Sequence, residues 1–149
     1  MQKIGEDSIN DIDGVSLIKI HQVLTQGKGN LQFFEGMRDI PFEIKRIYYI
    51  SNVKAGIWRG AHAHKTLKQL LFCPYGKIVV NLNNIAKEIS ITLDSPDKGI
   101  LIEKPLWRDM FWKIDNSILC VAASDYYFVE DYIREYSIFK QYIEQLQSQ

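Results

Sequence analysis

The chain has 149 residues, of which 46% are hydrophobic, so its length and composition fit one globular domain with a sizeable core. Its 18 basic and 18 acidic side chains give zero formal net charge, which argues against a protein that binds nucleic acid polymers. The apolar runs are far shorter than the roughly 20 residues that span a bilayer, and the first residues lack the pattern of a secretion signal. We therefore expect a cytoplasmic protein without a membrane partner, in which Cys73 and Cys120 are free thiols.

Segments with the pattern of β-strands follow one another along most of the chain. They are rich in β-branched and aromatic residues, and turn residues such as Gly, Pro and Asn separate them. In chain order the segments are 15–20, 31–34, 44–50, 69–73, 77–82, 87–93, 99–102, 107–113 and 117–123. No helical pattern separates these segments, so an antiparallel sandwich or barrel is predicted rather than a parallel α/β fold.

The periodicity changes near the C-terminus. Apolar residues recur there at steps of three and four, which predicts an amphipathic helix over about residues 131–146. We expect one domain over residues 1–149, with a β-rich core over about 15–129 and this helix after it.

Two of the three histidines, His62 and His64, lie two residues apart in a segment that has small alanines between and before them. If the segment is a strand, both imidazoles point to the same side. Such a pair has three interpretations: a structural pair that satisfies buried backbone groups, a metal site, or an acid–base pair that moves protons near neutral pH.

The wider spacing around this pair resembles the first signature of the cupin superfamily. The residues that match it are Gly56, His62, His64, Gln69 and Gly76. Metal-binding cupins have a glutamate ligand where this chain has Gln69. They also have a second signature that contains a histidine ligand, and this chain has Met110 at the position of that histidine. Because Gln is a poor metal ligand and Met suits only soft metals, we expect that no metal is bound.

Three stretches of the chain carry a closer resemblance. Residues 41–50, residues 59–65, and a late segment made of residues 124–127 and 131–136 resemble the sugar nucleotide 3,4-ketoisomerases of the cupin superfamily, which act on dTDP-4-keto-6-deoxyglucose. The resemblance covers roughly residues 15–143. It implies an all-β fold, a cupin or jelly-roll antiparallel β-barrel with a short C-terminal α-helix, and an isomerase that needs neither metal nor cofactor.

The resemblance also implies a reaction and an assembly. A base removes the proton at C3 of the 4-keto sugar, and the resulting enediol is reprotonated at C4 to give a 3-keto-6-deoxy sugar. Aminotransferases downstream use such sugars in the biosynthesis of deoxysugars for surface polysaccharides. The implied assembly is a homodimer in which strands are exchanged or shared across the interface.

The roles of individual residues follow from the same resemblance. His62 matches the catalytic base, His64 would shuttle the proton or orient the base, and the phenol of Tyr48 would steady the enediolate. Cationic residues are expected to contact the substrate, chiefly at its pyrophosphate. The candidates for substrate binding are Arg59, Arg46, Lys65, Arg108 and Lys28. Of these, Arg108 is expected beside the sugar, where it would help to set the configuration at C4.

Two alternative functions stay open at this point. A dTDP-sugar 3,5-epimerase-like cupin uses similar proton chemistry, but such enzymes pair a histidine with a distant aspartate, and the sequence shows no evident aspartate partner. A non-catalytic cupin that binds a sugar nucleotide would have the same pocket without turnover. Acyl transfer is disfavoured, because the chain lacks the hexapeptide repeats of the acyltransferase domains that occur fused to related ketoisomerases.

Overall fold

Thirteen β-strands and one α-helix form the framework of the computed structural model, which describes residues 1–149. The strands are β1 (Gln2–Ile4), β2 (Val15–Lys19), β3 (His21–Thr25), β4 (Gly29–Phe33), β5 (Arg46–Ile50), β6 (Trp58–His64), β7 (Gln69–Tyr75), β8 (Ile78–Asn83), β9 (Lys87–Leu93), β10 (Lys98–Ile102), β11 (Trp107–Trp112), β12 (Ile118–Ala123) and β13 (Tyr132–Ile133). Short 3₁₀ turns cover Glu6–Asp11 and Val129–Asp131, and helix α1 covers Tyr136–Gln147. Each of the nine segments predicted as strands corresponds to a strand of the structure.

The strands form two large sheets and a separate hairpin. One sheet has six strands in the order β1-β9-β8-β11-β6-β13, and the other has five in the order β2-β10-β7-β12-β5. Strands β3 and β4 pair only with each other. Every pairing between named strands is antiparallel except that of β1 with β9. The predicted all-β jelly-roll fold with a short C-terminal helix is thereby confirmed.

The main core lies between the two sheets and consists largely of aliphatic side chains. The alternation of apolar and polar residues along the strands produces this core, because every second residue of a strand faces the same side. Val80 of β8 is paired with Ile91 of β9, and Leu82 with Ile89, and all four side chains are fully buried. Each such burial contributes about 1.5–3 kcal/mol to folding.

A bulge in β6 interrupts the regular pairing with β11. Arg108 pairs with His62, but the next residue of β11, Asp109, pairs with Gly60, so Ala61 is the extra residue. Gly60 and Ala61 both have positive φ angles, of 103° and 57°. A bulge bends its strand and redirects the following side chains, and here those side chains belong to the histidine segment.

The C-terminal helix begins later than the predicted residue 131. Val129–Asp131 form a 3₁₀ turn, and Tyr132–Ile133 form strand β13, which pairs with His64 and Ala63 of β6. The prediction was wrong here because Ile133 continues the apolar periodicity of the helix, while its backbone completes the free edge of β6. No helix of the chain is long and apolar enough to cross a bilayer.

Candidate active site

A cavity of about 360 Å³ lies beside the histidine segment. Strands β5, β6 and β11 form its walls, and the segment that contains β13 covers one side. The lining residues are Arg46, Tyr48, Ile50, Arg59, Gly60, His62, Met110, Tyr127, Tyr132 and Arg134. The cavity thus combines titratable and cationic side chains with apolar and aromatic ones, as ligand sites commonly do.

Strand β5 forms one wall of the cavity, because alternate residues of this strand point into it. Arg46, Tyr48 and Ile50 are half-buried and line the cavity, whereas Ile47 and Tyr49 between them point outward and are exposed. A shift of the register by one residue would remove all three inward side chains from the cavity. Pairing of β5 with β12 fixes this register.

Strand β6 brings the two histidines together, as the sequence spacing predicts. The ring centroids of His62 and His64 are 5.0 Å apart, and the rings stand nearly perpendicular at 87°. The Tyr132 ring packs against both, with centroids 4.3 Å from His64 and 5.4 Å from His62. His62 lines the cavity, whereas His64 lies behind it and is only 1% exposed.

Asp131 is the hydrogen-bond partner of His64, which corrects the expectation that no aspartate pairs with a histidine. Its Oδ2 lies 2.9 Å from Nδ1 of His64, and its Oδ1 accepts hydrogen bonds from the backbone and the hydroxyl of Thr66. A carboxylate only accepts hydrogen bonds, so the proton of a neutral His64 is on Nδ1. The Nε2 atom of His64 is buried without a partner, and its lone pair is therefore free.

Both imidazoles are held in the neutral form. Burial, reinforced by the charge of Arg108, lowers the pKa of His62 to about 4. Burial and the charges of Arg108 and His62 lower the pKa of His64 to about 3, although Asp131 opposes this change. Desolvation acts to raise the pKa of Asp131, but hydrogen bonds from Thr66 and His64 hold it below its ordinary value. At neutral pH the site therefore contains two unprotonated bases and one carboxylate.

Arg108 is not a lining residue of the cavity; its side chain is 1% exposed and lies behind the wall. Its Nε and Nη2 atoms donate to the carbonyl oxygen of Leu106, and Nη1 donates to Oε1 of Gln69. Nε2 of Gln69 in turn lies 3.1 Å from the phenol oxygen of Tyr48. Burial lowers the pKa of Arg108 to about 10, so the guanidinium stays charged at neutral pH.

Three arginines line the cavity, although the whole chain has no net charge. Arg46, Arg59 and Arg134 are all lining residues, and no acidic side chain is among them. Arg46 lies over the rings of Tyr48 and Tyr127, and its buried Nε has no hydrogen-bond partner. The cavity is therefore suited to an anionic ligand, since local charge need not follow the total.

The two lysines among the predicted substrate contacts lie outside this cavity. Lys28 occupies the exposed turn between β3 and β4, and Lys65 follows β6 with its backbone bonded to Asp131. The prediction omitted Arg134 and Tyr132 from the site, although both belong to the late segment that carries the family resemblance. Tyr132 and Arg134 are two residues apart, as His62 and His64 are. The same argument, that residues two apart in a strand face one side, would have indicated that both belong to the site.

The donor set does not fit a bound metal ion. The positions that bind metal in other cupins hold His62, His64, Gln69 and Met110, and the Gln69 side chain is engaged by Arg108 and Tyr48. No group of three or more His, Cys, Asp or Glu side chains is arranged to hold a metal ion. Independence from metal stays a prediction that rests on these side chains.

Comparison with known proteins agrees with this geometry. Residues 13–144 match the family model described as "FdtA: WxcM-like, C-terminal". The chain is 42% identical over 122 residues to the TDP-4-oxo-6-deoxy-α-D-glucose-3,4-oxoisomerase of Aneurinibacillus thermoaerophilus, covering 80% of this chain and 86% of that protein.

Solved structures of ketoisomerases superpose on most of the chain. The sugar 3,4-ketoisomerase QdtA of Thermoanaerobacterium thermosaccharolyticum, in complex with TDP, matches with a TM-score of 0.86 and 39% identity, over 90% of this chain and 97% of QdtA. A mutant of QdtA has been solved with TDP-4-keto-6-deoxyglucose. The TDP-quinovose 3,4-ketoisomerase WlaRB of Campylobacter jejuni matches with a TM-score of 0.82 and 36% identity, over 87% of this chain and 99% of WlaRB. The chain is therefore a member of the sugar nucleotide 3,4-ketoisomerase family of the cupin superfamily.

Proposed function

We propose that this protein converts dTDP-4-keto-6-deoxyglucose into a dTDP-3-keto-6-deoxyhexose. The observation that carries the proposal is the pair of neutral histidines at a cavity lined by arginines. Neutral imidazoles serve as bases, and the arginines match the charge of a diphosphate. The relatives that act on TDP-linked 4-keto-6-deoxy sugars support this choice of substrate.

The reaction moves two protons and needs no external oxidant or reductant. Removal of the C3 proton is favoured because the C4 carbonyl delocalises the resulting charge, and a proton on O4 completes the enediol. Loss of the O3 proton and return of a proton to C4 then give the 3-ketone. C4 is thereby reduced and C3 oxidised within one molecule.

The side chains divide these tasks between them. His62 lines the cavity and would take the C3 proton, while His64, held by Asp131 behind it, would accept and return a proton through its free Nε2. The Tyr48 hydroxyl would stabilise charge on the sugar oxygen. Arg46, Arg59 and Arg134 would bind the diphosphate, to which guanidinium groups are geometrically suited.

We further propose that the protein is a cytoplasmic homodimer. Hairpin β3–β4 is exposed along its length and carries apolar side chains such as Leu24 and Leu31, which are 67% and 61% exposed. An isolated hairpin is marginally stable, and apolar patches of this kind mark interfaces. Lys28, in the exposed turn of this hairpin, does not line the cavity of its own chain. The free thiols of Cys73 and Cys120 suit a reducing compartment.

Proton NMR in deuterated water tests the isomerisation. The protein is treated with a chelator, dialysed, and incubated with dTDP-4-keto-6-deoxyglucose. We expect deuterium at C4 and a ketone at C3, without added metal. Exchange confined to C5 would instead indicate the epimerase-like alternative, and binding without any exchange would indicate a non-catalytic protein. Activity that returns only with metal would contradict metal independence.

The variant His62→Asn identifies the base in the same assay. We expect the turnover number kcat to fall by roughly 10²–10⁴-fold, the usual contribution of a general base. Circular dichroism would verify that the variant is folded. Full turnover by the folded variant would exclude His62 as the base.

A further inference from the structure

A buried chain of hydrogen bonds crosses the barrel behind the cavity and ends at Tyr48. It begins at Arg108 on β11 of the six-stranded sheet and continues through Gln69 at the start of β7. It ends at the phenol of Tyr48 on β5, in the five-stranded sheet. Gln69 is only 1% exposed, so its amide has no access to bulk water and depends on these partners.

The direction of each hydrogen bond follows from the chemistry of the groups. A guanidinium has only donors, so the amide atom that faces Arg108 is the oxygen. The amide nitrogen of Gln69 is then directed at Tyr48 and donates to its phenol oxygen across 3.1 Å. Because the phenol oxygen accepts this bond, the hydroxyl hydrogen of Tyr48 is left for another acceptor.

We propose that Gln69 is a positioning residue that, held by Arg108, makes Tyr48 a hydrogen-bond donor to the sugar oxygen on which the enediolate charge develops. Tyr48 lines the cavity, whereas Gln69 and Arg108 do not, so both act on the substrate through Tyr48. The inference rests on the proposed isomerisation and adds to it a residue that has no direct contact with substrate.

The charges around Arg108, Gln69 and Tyr48 support this direction of the hydrogen bonds. None of the ion pairs in the structure includes Arg108, so its charge is not neutralised by a contacting carboxylate. Burial raises the pKa of Tyr48, although Arg108 and Gln69 oppose this change. The phenol therefore keeps its proton at neutral pH and is able to donate it in a hydrogen bond.

The identity of residue 69 is decisive in this arrangement. The substitution Gln69→Glu keeps the length of the side chain and an oxygen for Arg108, but replaces the N–H donor by a second acceptor. A carboxylate there would draw the hydroxyl hydrogen of Tyr48 toward itself and away from the sugar. The variant thus reverses one hydrogen bond and gives Arg108 a contacting carboxylate, while leaving the packing almost unchanged.

A double-mutant cycle on the isomerisation rate tests the proposal. We expect Tyr48→Phe to lower kcat by roughly 10²-fold and Gln69→Glu by about 10-fold or more, with KM changed by less than about threefold. In the Tyr48→Phe background, Gln69→Glu should cause almost no further loss, because the group through which it acts is absent. Gln145→Glu on the exposed face of α1 is the matched control and should leave kcat unchanged.

The outcomes separate this inference from the proposed function. If the wild-type protein does not isomerise the sugar, the proposed function and the inference both fail. If the wild-type protein is active and the losses from Tyr48→Phe and Gln69→Glu multiply in the double variant, the inference alone is overturned. Full activity of Gln69→Glu would overturn it as well. Should Gln69→Glu not fold, Gln69→Met removes the same donor, and the same absence of a further loss is expected.

Discussion

The Asp131 carboxylate determines which nitrogen of His64 carries the proton. One of its oxygens is occupied by the two donors of Thr66, and the other faces Nδ1 of His64. Nε2 is consequently left as the free base on the side of Tyr132 and His62. The contact of Asp131 with His64 and Thr66 also holds the segment before β13 against the histidine segment. Asp131 therefore fixes both the position of His64 and the nitrogen that carries its proton.

The variant Asp131→Asn should invert this arrangement. Its amide oxygen would stay with the Thr66 donors, so the amide nitrogen would donate to Nδ1 of His64 and move the imidazole proton to Nε2. We expect kcat to fall by roughly 10²-fold or more with little change in KM. Nitrogen NMR of the imidazole would report the tautomer, and Asp7→Asn, at an exposed site, is the matched control. An unchanged tautomer together with unchanged kcat would contradict this role.

At the scale of single elements, the bulge in β6 places His62 opposite Arg108. A Cβ atom on Gly60 would lie 2.9 Å from the carbonyl oxygen of Arg108, and the φ angle of 103° already disfavours any side chain. The bulge therefore requires glycine for two independent reasons, one of them steric and the other conformational.

Gly60→Ala should lower the free energy of unfolding by roughly 1–3 kcal/mol and also reduce kcat, because β11 must move away from the histidine segment. Gly56→Ala is the matched control, since its φ angle is 89° but a Cβ there meets no atom within 4 Å. We expect it to show only the conformational cost. Urea unfolding of both variants measures the difference, and equal losses would show that the contact with Arg108 does not matter.

The features that depend on the two-residue alternation of β-strands could be predicted from the sequence. The contacts between segments that are distant in the sequence could not. The strands and the convergence of His62 and His64 follow from local alternation. The pairing of Asp131 with His64 spans 67 residues and depends on β13, whose apolar residue also fits a helical period. The link from Arg108 to Gln69 likewise joins two sheets, and no local pattern indicates which buried polar groups will meet.

On the scale of the whole molecule, the net charge is zero, but cationic and apolar side chains are concentrated on different surfaces. Arginines gather at the cavity, while the hairpin β3–β4 and the outer face of β5 expose large apolar side chains. Phe33 of the hairpin and Ile47 of β5 line the same outer groove. These surfaces have different tasks in the proposed dimer: the first binds the anionic substrate and the second binds another copy of the chain.

Replacing the cross-strand pair Val23 and Leu31 by Lys and Glu should produce a monomer. Opposite charges at paired positions preserve the hairpin itself, but their desolvation opposes an apolar interface. Light scattering should give twice the 17.3 kDa chain mass for the wild type and the single mass for the double variant. Ile114→Lys, at an exposed apolar site elsewhere, is the control. A monomeric wild type would contradict the proposed dimer.

The two edge strands of the six-stranded sheet, β1 and β13, pair with segments that lie far from them in the sequence. Strand β1 pairs Gln2–Ile4 with residues 87–89, and β13 pairs Tyr132 and Ile133 with His64 and Ala63 of β6. Contacts between such distant segments form late in folding, because a long loop must close first. Residues 64–131 must therefore all be available before Asp131 can dock on His64, and enzymatic competence should be acquired late in folding and lost early in mild denaturant.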